Sequence, residues 1–247
     1  MDAPQLTVVV PVYNEAARLE ASLRRLLAFV GDQAFHTELV CVDDGSTDGS
    51  GAVLRRFASA DDRVRVVSLP QNRGKGAAVR RGMLAVRGRI AVFMDADLST
   101  GLDALAPALA AVREGADVVL GSRRVPGARI VGRQARWRDL LGRAFSTLAG
   151  LLVDRAVPDF TCGFKAFSAE AAGAVFSRAR IDGWAFDAEL VAIARALDLR
   201  VTTVAVEWHD EPGSKVRFPG ALVSSLIDLV RIGRWKRNGR FARQSGG

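Results

Sequence analysis

The chain is poor in several things that would point to other functions. It has only two cysteines, Cys41 and Cys162, in 247 residues. That argues against a disulfide framework and for a reducing compartment. Its two histidines, His36 and His209, fit no zinc spacing with them. No apolar run is long enough to span a bilayer, and no signal peptide is recognisable before the first apolar stretch. There is no internal repeat and no low-complexity linker. What is present is ample core material: 49% of the residues are hydrophobic and 25% charged, the balance of a folded globular chain. The net charge of +8 is concentrated in two places. Residues 123–143 hold seven arginines against one acid, and residues 214–247 hold eight basic residues against one acid. The remainder is net acidic. Such patches suit a phosphorylated substrate, an anionic membrane surface or nucleic acid. The last is disfavoured, because no aromatic platforms interleave the basic residues.

Hydrophobic periodicity predicts strands at Leu6–Val10, Glu38–Val42, Val64–Leu69, Ile90–Met94, Val118–Leu120 and Val201–Val206. Between and after them it predicts helices near residues 19–30, 50–58, 74–86, 102–114, 139–152, 169–178 and 186–197, with a last amphipathic helix marked by Leu222, Leu226, Leu229 and Val230. Arg124–Arg136 has no apolar period and reads as a mobile basic loop. Alternating strands and helices imply an α/β fold, a mostly parallel doubly wound sheet with helices on both faces.

Four short motifs fall at the ends of the first four strands: Pro11-Val-Tyr-Asn-Glu15, Asp43-Asp-Gly-Ser-Thr-Asp-Gly-Ser50, Asn72-Arg-Gly-Lys-Gly-Ala-Ala78 and Asp95-Ala-Asp97. In an open α/β sheet that edge is where ligands bind. Asp95 and Asp97, two residues apart, offer paired hard oxygens suited to Mg²⁺ or Mn²⁺ beside phosphates. The Asp43–Ser50 stretch only partly fits a calcium loop, since Arg55 stands where a bidentate Glu is required; it also reads as a turn with helix caps. Gly74-Lys75-Gly76 could aim backbone N–H groups at an anion, but it lacks the spacing of a P-loop. Cys162 reads as packing.

Together and in this order, the motifs resemble the inverting nucleotide-sugar glycosyltransferases of family 2, which have the GT-A fold. Asp159-Phe-Thr-Cys-Gly-Phe-Lys-Ala-Phe167 and Trp184-Ala-Phe-Asp-Ala-Glu189 resemble the dolichyl-phosphate β-glucosyltransferase branch, and more loosely the polyprenyl-phosphate glycosyl- and mannosyltransferases. The resemblance implies a GT-A domain over residues 1–215, followed by a basic amphipathic helix and tail over 216–247 that associates with membrane. It implies a hexosyltransferase taking glucose from UDP-glucose to a polyprenyl or dolichyl phosphate, with a divalent metal as cofactor. Pro11, Tyr13, Glu15, Asp43, Asp44, Lys75 and Asp95 would bind the nucleotide sugar, and Asp95 and Asp97 the metal. Arg123 would act with them in catalysis, while Arg138, Arg143 and Lys165 would bind the acceptor phosphate. Asp187 is the best choice of base if one is used; equally, Asp187 or Glu189 could orient an arginine or lysine. Expected partners are the donor, the lipid phosphate, an anionic membrane surface and a membrane-protein partner, with the chain peripheral at the cytoplasmic face. A hydroxyl acceptor on a polysaccharide or glycolipid, a polyprenyl-phosphate mannosyltransferase, and a non-catalytic anion- or membrane-binding module remain as alternatives.

Overall fold

The computed structural model describes residues 4–132, 136–210 and 218–242, and nothing of the side chains at 136–138, 218, 219 and 221. Strands β1 (Leu6–Val12), β2 (Thr37–Asp43), β3 (Val64–Ser68) and β4 (Ile90–Met94) alternate with helices α1 (Ala16–Gly31), α2 (Ser50–Ala60) and α3 (Lys75–Met83). A 3₁₀ turn at Leu102–Ala104 leads into α4 (Leu105–Arg113), β5 (Val118–Ser122) and the short β6 (Arg129–Val131). Then come α5 (Arg136–Leu152), β7 (Phe164–Ser168), α6 (Ala169–Phe176) and α7 (Phe186–Ala196). The described chain closes with β8 (Val201–Ala205), β9 (Glu207–His209) and α8 (Phe218–Arg237).

Seven strands form one sheet in the order β3-β2-β1-β4-β7-β5-β8. β1, β2 and β4 are near-continuous apolar runs, as strands covered on both faces must be. Alternate residues enter opposite cores. Val9, Val40 and Phe93 pack with Val79, Phe176, Phe186 and Leu229 from α3, α6, α7 and α8. Val8, Leu39 and Val92 pack with Leu19, Leu54 and Leu105 from α1, α2 and α4. The doubly wound α/β expectation is met.

Two features differ from the sequence reading. β7 lies antiparallel between β4 and β5 in the middle of the sheet, where no strand was expected. Its apolar pattern is broken by Lys165, a charge at a core position. The segment expected to be a structureless basic loop contains β6, paired in parallel with β9 through Arg129–Glu207, Ile130–Trp208 and Val131–His209. All three β6 residues are exposed, so burial leaves no period to read. Residues 133–135 of that segment lie outside the described residues.

α8 packs its inner face on α5 and α7, and Leu229, Ile232 and the following Phe241 join the core. Its other side exposes Val223, Leu226, Ile227 and Val230, spaced i, i+3, i+4 and i+7 as one helix face requires.

Candidate active site at the carboxyl edge of the sheet

The carboxyl ends of β1, β2, β3 and β4 lie on one edge, since these strands are parallel. β5 runs the same way, because β7 opposes both β4 and β5. The reversal of β7 has a consequence for the site: its amino end, preceded by Asp159–Gly163, reaches the same edge. Met94 pairs with Phe164, which sets Gly163 against Asp95. A Cβ on Gly163 would stand 2.0 Å from Asp95 Oδ2, so only glycine admits the carboxylate there.

The loops after β1 and β2 are clasped together. Asn14, in the left-handed region at φ 56°, accepts from the Thr47 N–H at 2.8 Å. Its own N–H donates to Ser46 Oγ at 3.0 Å, and that of Glu15 to Ser50 Oγ at 2.8 Å. Pro11 is half-buried and Tyr13 exposed beside them. Asp43 Oδ1 accepts from the Ser46 N–H at 2.9 Å. Asp44 is more fully engaged, taking Asn72 Nδ2 at 2.9 Å, the Arg73 N–H at 2.8 Å and the Gly74 N–H at 2.9 Å. Burial pushes its pKa up in spite of those donors. Asp44 thus ties the loop after β3 to the end of β2.

Asp95 Oδ1 lies 2.6 Å from Lys75 Nζ, at the amino end of α3. The Lys75 ammonium also sits 5.3 Å from the centre of the Trp184 ring. Burial pulls the Lys75 pKa down, but Asp95 and then Asp187 outweigh it and hold it above its usual value. Asp97 Oδ1 accepts from the Ser99 N–H at 3.0 Å, and Oδ2 faces Arg18 at 3.8 Å. Arg18 in turn grips Glu15 with Nε–Oε2 at 2.5 Å and Nη2–Oε1 at 3.0 Å. Arg18 was not singled out from the sequence; its position three residues after Glu15, in the first turn of α1, is the signal that could have found it.

Among the described residues no group of three or more metal-ligating side chains exists. Two carboxylates alone do not make a protein cage. They do match Mg²⁺- or Mn²⁺-type sites, in which one or two carboxylates leave the other positions to water and substrate phosphates. Both aspartates are half-exposed, so a diphosphate could complete the shell.

Farther along the edge, Arg123 forms a fork with Asp159, Nε–Oδ2 at 2.8 Å and Nη2–Oδ1 at 2.9 Å, and donates to Thr161 Oγ1 at 2.7 Å. Its guanidinium lies 5.5 Å from the Trp208 ring centre. Burial would raise the Asp159 pKa, but the Arg123 bonds and charge prevail and hold it well below the usual carboxylate range. The bonds described engage Nε and Nη2 of Arg123.

Lys165 departs from its expected role as an acceptor-phosphate ligand. It is fully buried, and its ammonium donates to Cys162 O at 2.9 Å, to Phe160 O at 3.3 Å and to Asp187 Oδ1. An ammonium has three donors, so none remains. The same bond changes the reading of Asp187, which is buried and engaged with Lys165 rather than open to a substrate proton; burial pushes its pKa up. Of the two roles the sequence left open, orienting a lysine is the one this geometry fits. Glu189 instead accepts from the backbone N–H groups of Arg180 and Ile181 at 2.8–3.0 Å. Arg143 is exposed and paired with Asp139 at 2.8 Å. The Arg138 side chain lies outside the described residues. Cys162 is buried with its Sγ 3.8 Å from Thr100 Oγ1, as expected of packing.

Residues 7–176 match the model of glycosyl transferase family 2. Among curated relatives, a dolichyl-phosphate beta-glucosyltransferase of Trichomonas vaginalis is 34% identical over 94% of this chain and 72% of its own length. The human dolichyl-phosphate beta-glucosyltransferase is 35% identical over 87% of this chain and 71% of its own. Among solved structures, glucosyl-3-phosphoglycerate synthase of Mycobacterium tuberculosis in complex with UDP superposes with a TM-score of 0.68 at 23% identity, covering 94% of this chain and 80% of that one. The mannosyltransferase of Pyrobaculum calidifontis in complex with GDP-Man and Mn²⁺ gives 0.58 at 22% identity, over 98% and 69% of the two chains. At that identity the superpositions speak for the GT-A fold, while the family match and the curated relatives speak for descent: this chain belongs to glycosyl transferase family 2, in its dolichyl-phosphate beta-glucosyltransferase branch.

Proposed function

We propose that the chain transfers glucose from UDP-glucose to a dolichyl or other polyprenyl phosphate, with inversion, giving a β-linked glycosyl-phosphate lipid. The observation that carries this reading is the line of charges on one sheet edge: Asp95 and Asp97 with Lys75, then Arg123 with Asp159. The names of the curated relatives support the glucose and the lipid phosphate. The clasped loops around Pro11, Tyr13, Glu15 and Asp43 take the nucleoside. Lys75 stands where a diphosphate would replace Asp95 as its partner. Asp95 and Asp97 would hold a divalent ion, Mg²⁺ or Mn²⁺, which neutralises charge on the leaving nucleoside diphosphate.

The acceptor needs little activation. A phosphate monoester has its second pKa near 6 and is largely dianionic at neutral pH, so its oxygen can attack the anomeric carbon without a base. That agrees with the engagement of Asp187 by Lys165. Arg123 Nη1, with Arg124 next to it, offers guanidinium donors for phosphate oxygens. Attack from the face opposite the leaving group converts an α-linked donor into a β-linked product.

Among the described residues no helix is long and apolar enough to cross a membrane, yet the acceptor resides in one. The exposed stripe Val223, Leu226, Ile227 and Val230 on α8, followed by Arg231, Arg234, Lys236 and Arg237, suits docking on an anionic surface. The cytoplasmic face and a membrane-protein partner belong to the same reading.

Mass spectrometry of a transfer assay tests it: purified chain, Mg²⁺ or Mn²⁺, a short polyprenyl phosphate, and a panel of UDP- and GDP-sugars. A glucosyl-phosphate lipid formed from UDP-glucose alone is the expected product. A mannosyl lipid from GDP-mannose would change the sugar, and donor turnover without any lipid product would move the acceptor to a hydroxyl.

A further inference from the structure

Trp184 stands apart from its neighbours. Ala185 and Phe186 are buried in the core beneath α3, yet Trp184, one residue earlier, is 45% exposed. An amphipathic indole of this kind has an apolar face and one N–H donor to offer a ligand. Its indole N–H has no partner among the described residues. The segment that carries it is held rigidly. Arg80 and Arg73 bind Asp182 at 2.6 and 3.2 Å, and the Ala77 N–H donates to Asp182 O at 3.2 Å. Gly74 and Gly76 abut the backbone so closely that a Cβ on either would stand 2.5 or 2.3 Å from a carbonyl oxygen of 181–182. The backbone that carries the ring is therefore held against α3, and the ring itself lies against Lys75.

The position of that ring matters. Lys75 Nζ is 5.3 Å from the ring centre and 2.6 Å from Asp95 Oδ1. The ring and the carboxylate therefore flank the same ammonium, and the ring centre lies no farther from Asp95 Oδ1 than those two spans laid end to end. In the donor the sugar is bonded directly to the distal phosphate of the diphosphate. A hexose attached to a diphosphate on Asp95 and Lys75 thus falls beside the indole.

We propose that Trp184 is a specificity-determining residue that receives the hexose of the nucleotide-sugar donor, packing its ring on the sugar's C–H face and offering its N–H to a hydroxyl. This inference rests on the donor reading of the site. Aromatic truncation at a well-packed contact commonly costs tenfold or more in affinity. The test is calorimetric titration of wild type, Trp184→Phe and Trp184→Ala with UDP and with UDP-glucose, each with Mn²⁺. The ratio of the two Kd values isolates the sugar, since UDP shares every other contact. In Trp184→Ala the affinity for UDP-glucose relative to UDP should fall about tenfold, and Trp184→Phe, which keeps a ring over Lys75, should lie between. A ratio unchanged in Trp184→Ala overturns the inference while leaving the donor reading intact. So does an unchanged ratio joined to a raised KM for the polyprenyl phosphate, which would assign the ring to the lipid. A wild-type chain that binds neither UDP nor UDP-glucose overturns the donor reading, and this inference with it.

Discussion

Two lysine–aspartate pairs lie within this one edge of the sheet, and they differ in their access to water. Lys75–Asp95 is 2.6 Å long with 16% and 31% of its side chains exposed. Lys165–Asp187 has 0% and 9% exposed, and backbone carbonyls of Phe160 and Cys162 complete the Lys165 shell. The first pair can exchange partners with an incoming ligand, because solvent and ligand both reach it. The second cannot open without stranding a buried charge. On the proposed reading, identical chemistry would serve ligand capture in one place and the fixing of a strand in the other. The residue type alone does not say which.

The sharpest way to break that comparison is to remove the carboxylates on the open side. The Asp95→Asn, Asp97→Asn double variant should lose about a thousandfold or more in turnover while its melting temperature stays near that of wild type. Turnover by mass spectrometry and a thermal melt on the same preparation check it. Near-normal turnover would sink the assignment of Asp95 and Asp97 to the metal and the diphosphate.

The buried side should answer in stability. Lys165→Met leaves Asp187 without its partner, and breaking a buried pair from one side costs about 3–5 kcal/mol. For a chain of this size that is a fall in Tm on the order of 10 °C. Lys75→Met should change stability by no more than about 1 kcal/mol, as partly solvated pairs do, yet weaken UDP binding. If the two methionine variants melt alike, the contrast between the pairs is wrong.

The two halves of the chain were not equally legible in the sequence. The first four strands are apolar enough to be recognised, β1, β2 and β4 as near-continuous runs, and each is followed by its motif, so both the doubly wound sheet and the placing of Asp43, Lys75, Asp95 and Asp97 at one edge could be read from order and spacing. Beyond residue 123 the signals fade for identifiable reasons. β7 hides because Lys165 interrupts its apolar pattern, and the charge is tolerated only through Asp187, twenty-two residues away in sequence. β6 hides because it is short and exposed. Lys165 looked like a phosphate ligand for the same reason that β7 was missed: nothing local records that its charge is already matched. The approach of Arg18 to Asp97 and the contact of Lys75 with Trp184 depend on how distant segments meet, which spacing along the chain does not encode.

Arg123–Asp159 sharpens the comparison through pH. Its carboxylate is buried like that of Asp187, but Arg123 holds its pKa down, not up. A depressed folded-state pKa gives stability that is fully present above the unfolded value of about 3.9 and is lost as pH falls from there through the folded value. At pH 6, Asp159→Asn should therefore be less stable than wild type by on the order of 2–3 kcal/mol. The difference should shrink steadily below pH 4. Urea midpoints at pH 6, 4 and 3 measure it, and a gap that stays constant across that range would show that Asp159 contributes by shape and hydrogen bonding, with no part from its charge.

The smallest effect concerns α8, where the contrast between an open and a closed face recurs in apolar form. Leu229 and Ile232 are buried in the core, whereas Leu226 and Ile227 lie on the exposed stripe. Leu226→Glu with Ile227→Glu should leave the stability within about 1 kcal/mol of wild type, since surface changes away from special features cost little. Vesicle binding should respond, because an interfacial helix binds through buried apolar area together with its attraction to anionic lipid. Partition onto vesicles containing phosphatidylserine should fall about tenfold in the variant, and wild-type partition should weaken as salt rises, because Arg231, Arg234, Lys236 and Arg237 act through a screened field. Sedimentation with vesicles at two salt concentrations separates the contributions. Loss with salt but not with the glutamates would leave a purely electrostatic attachment, and the exposed stripe would then need another partner.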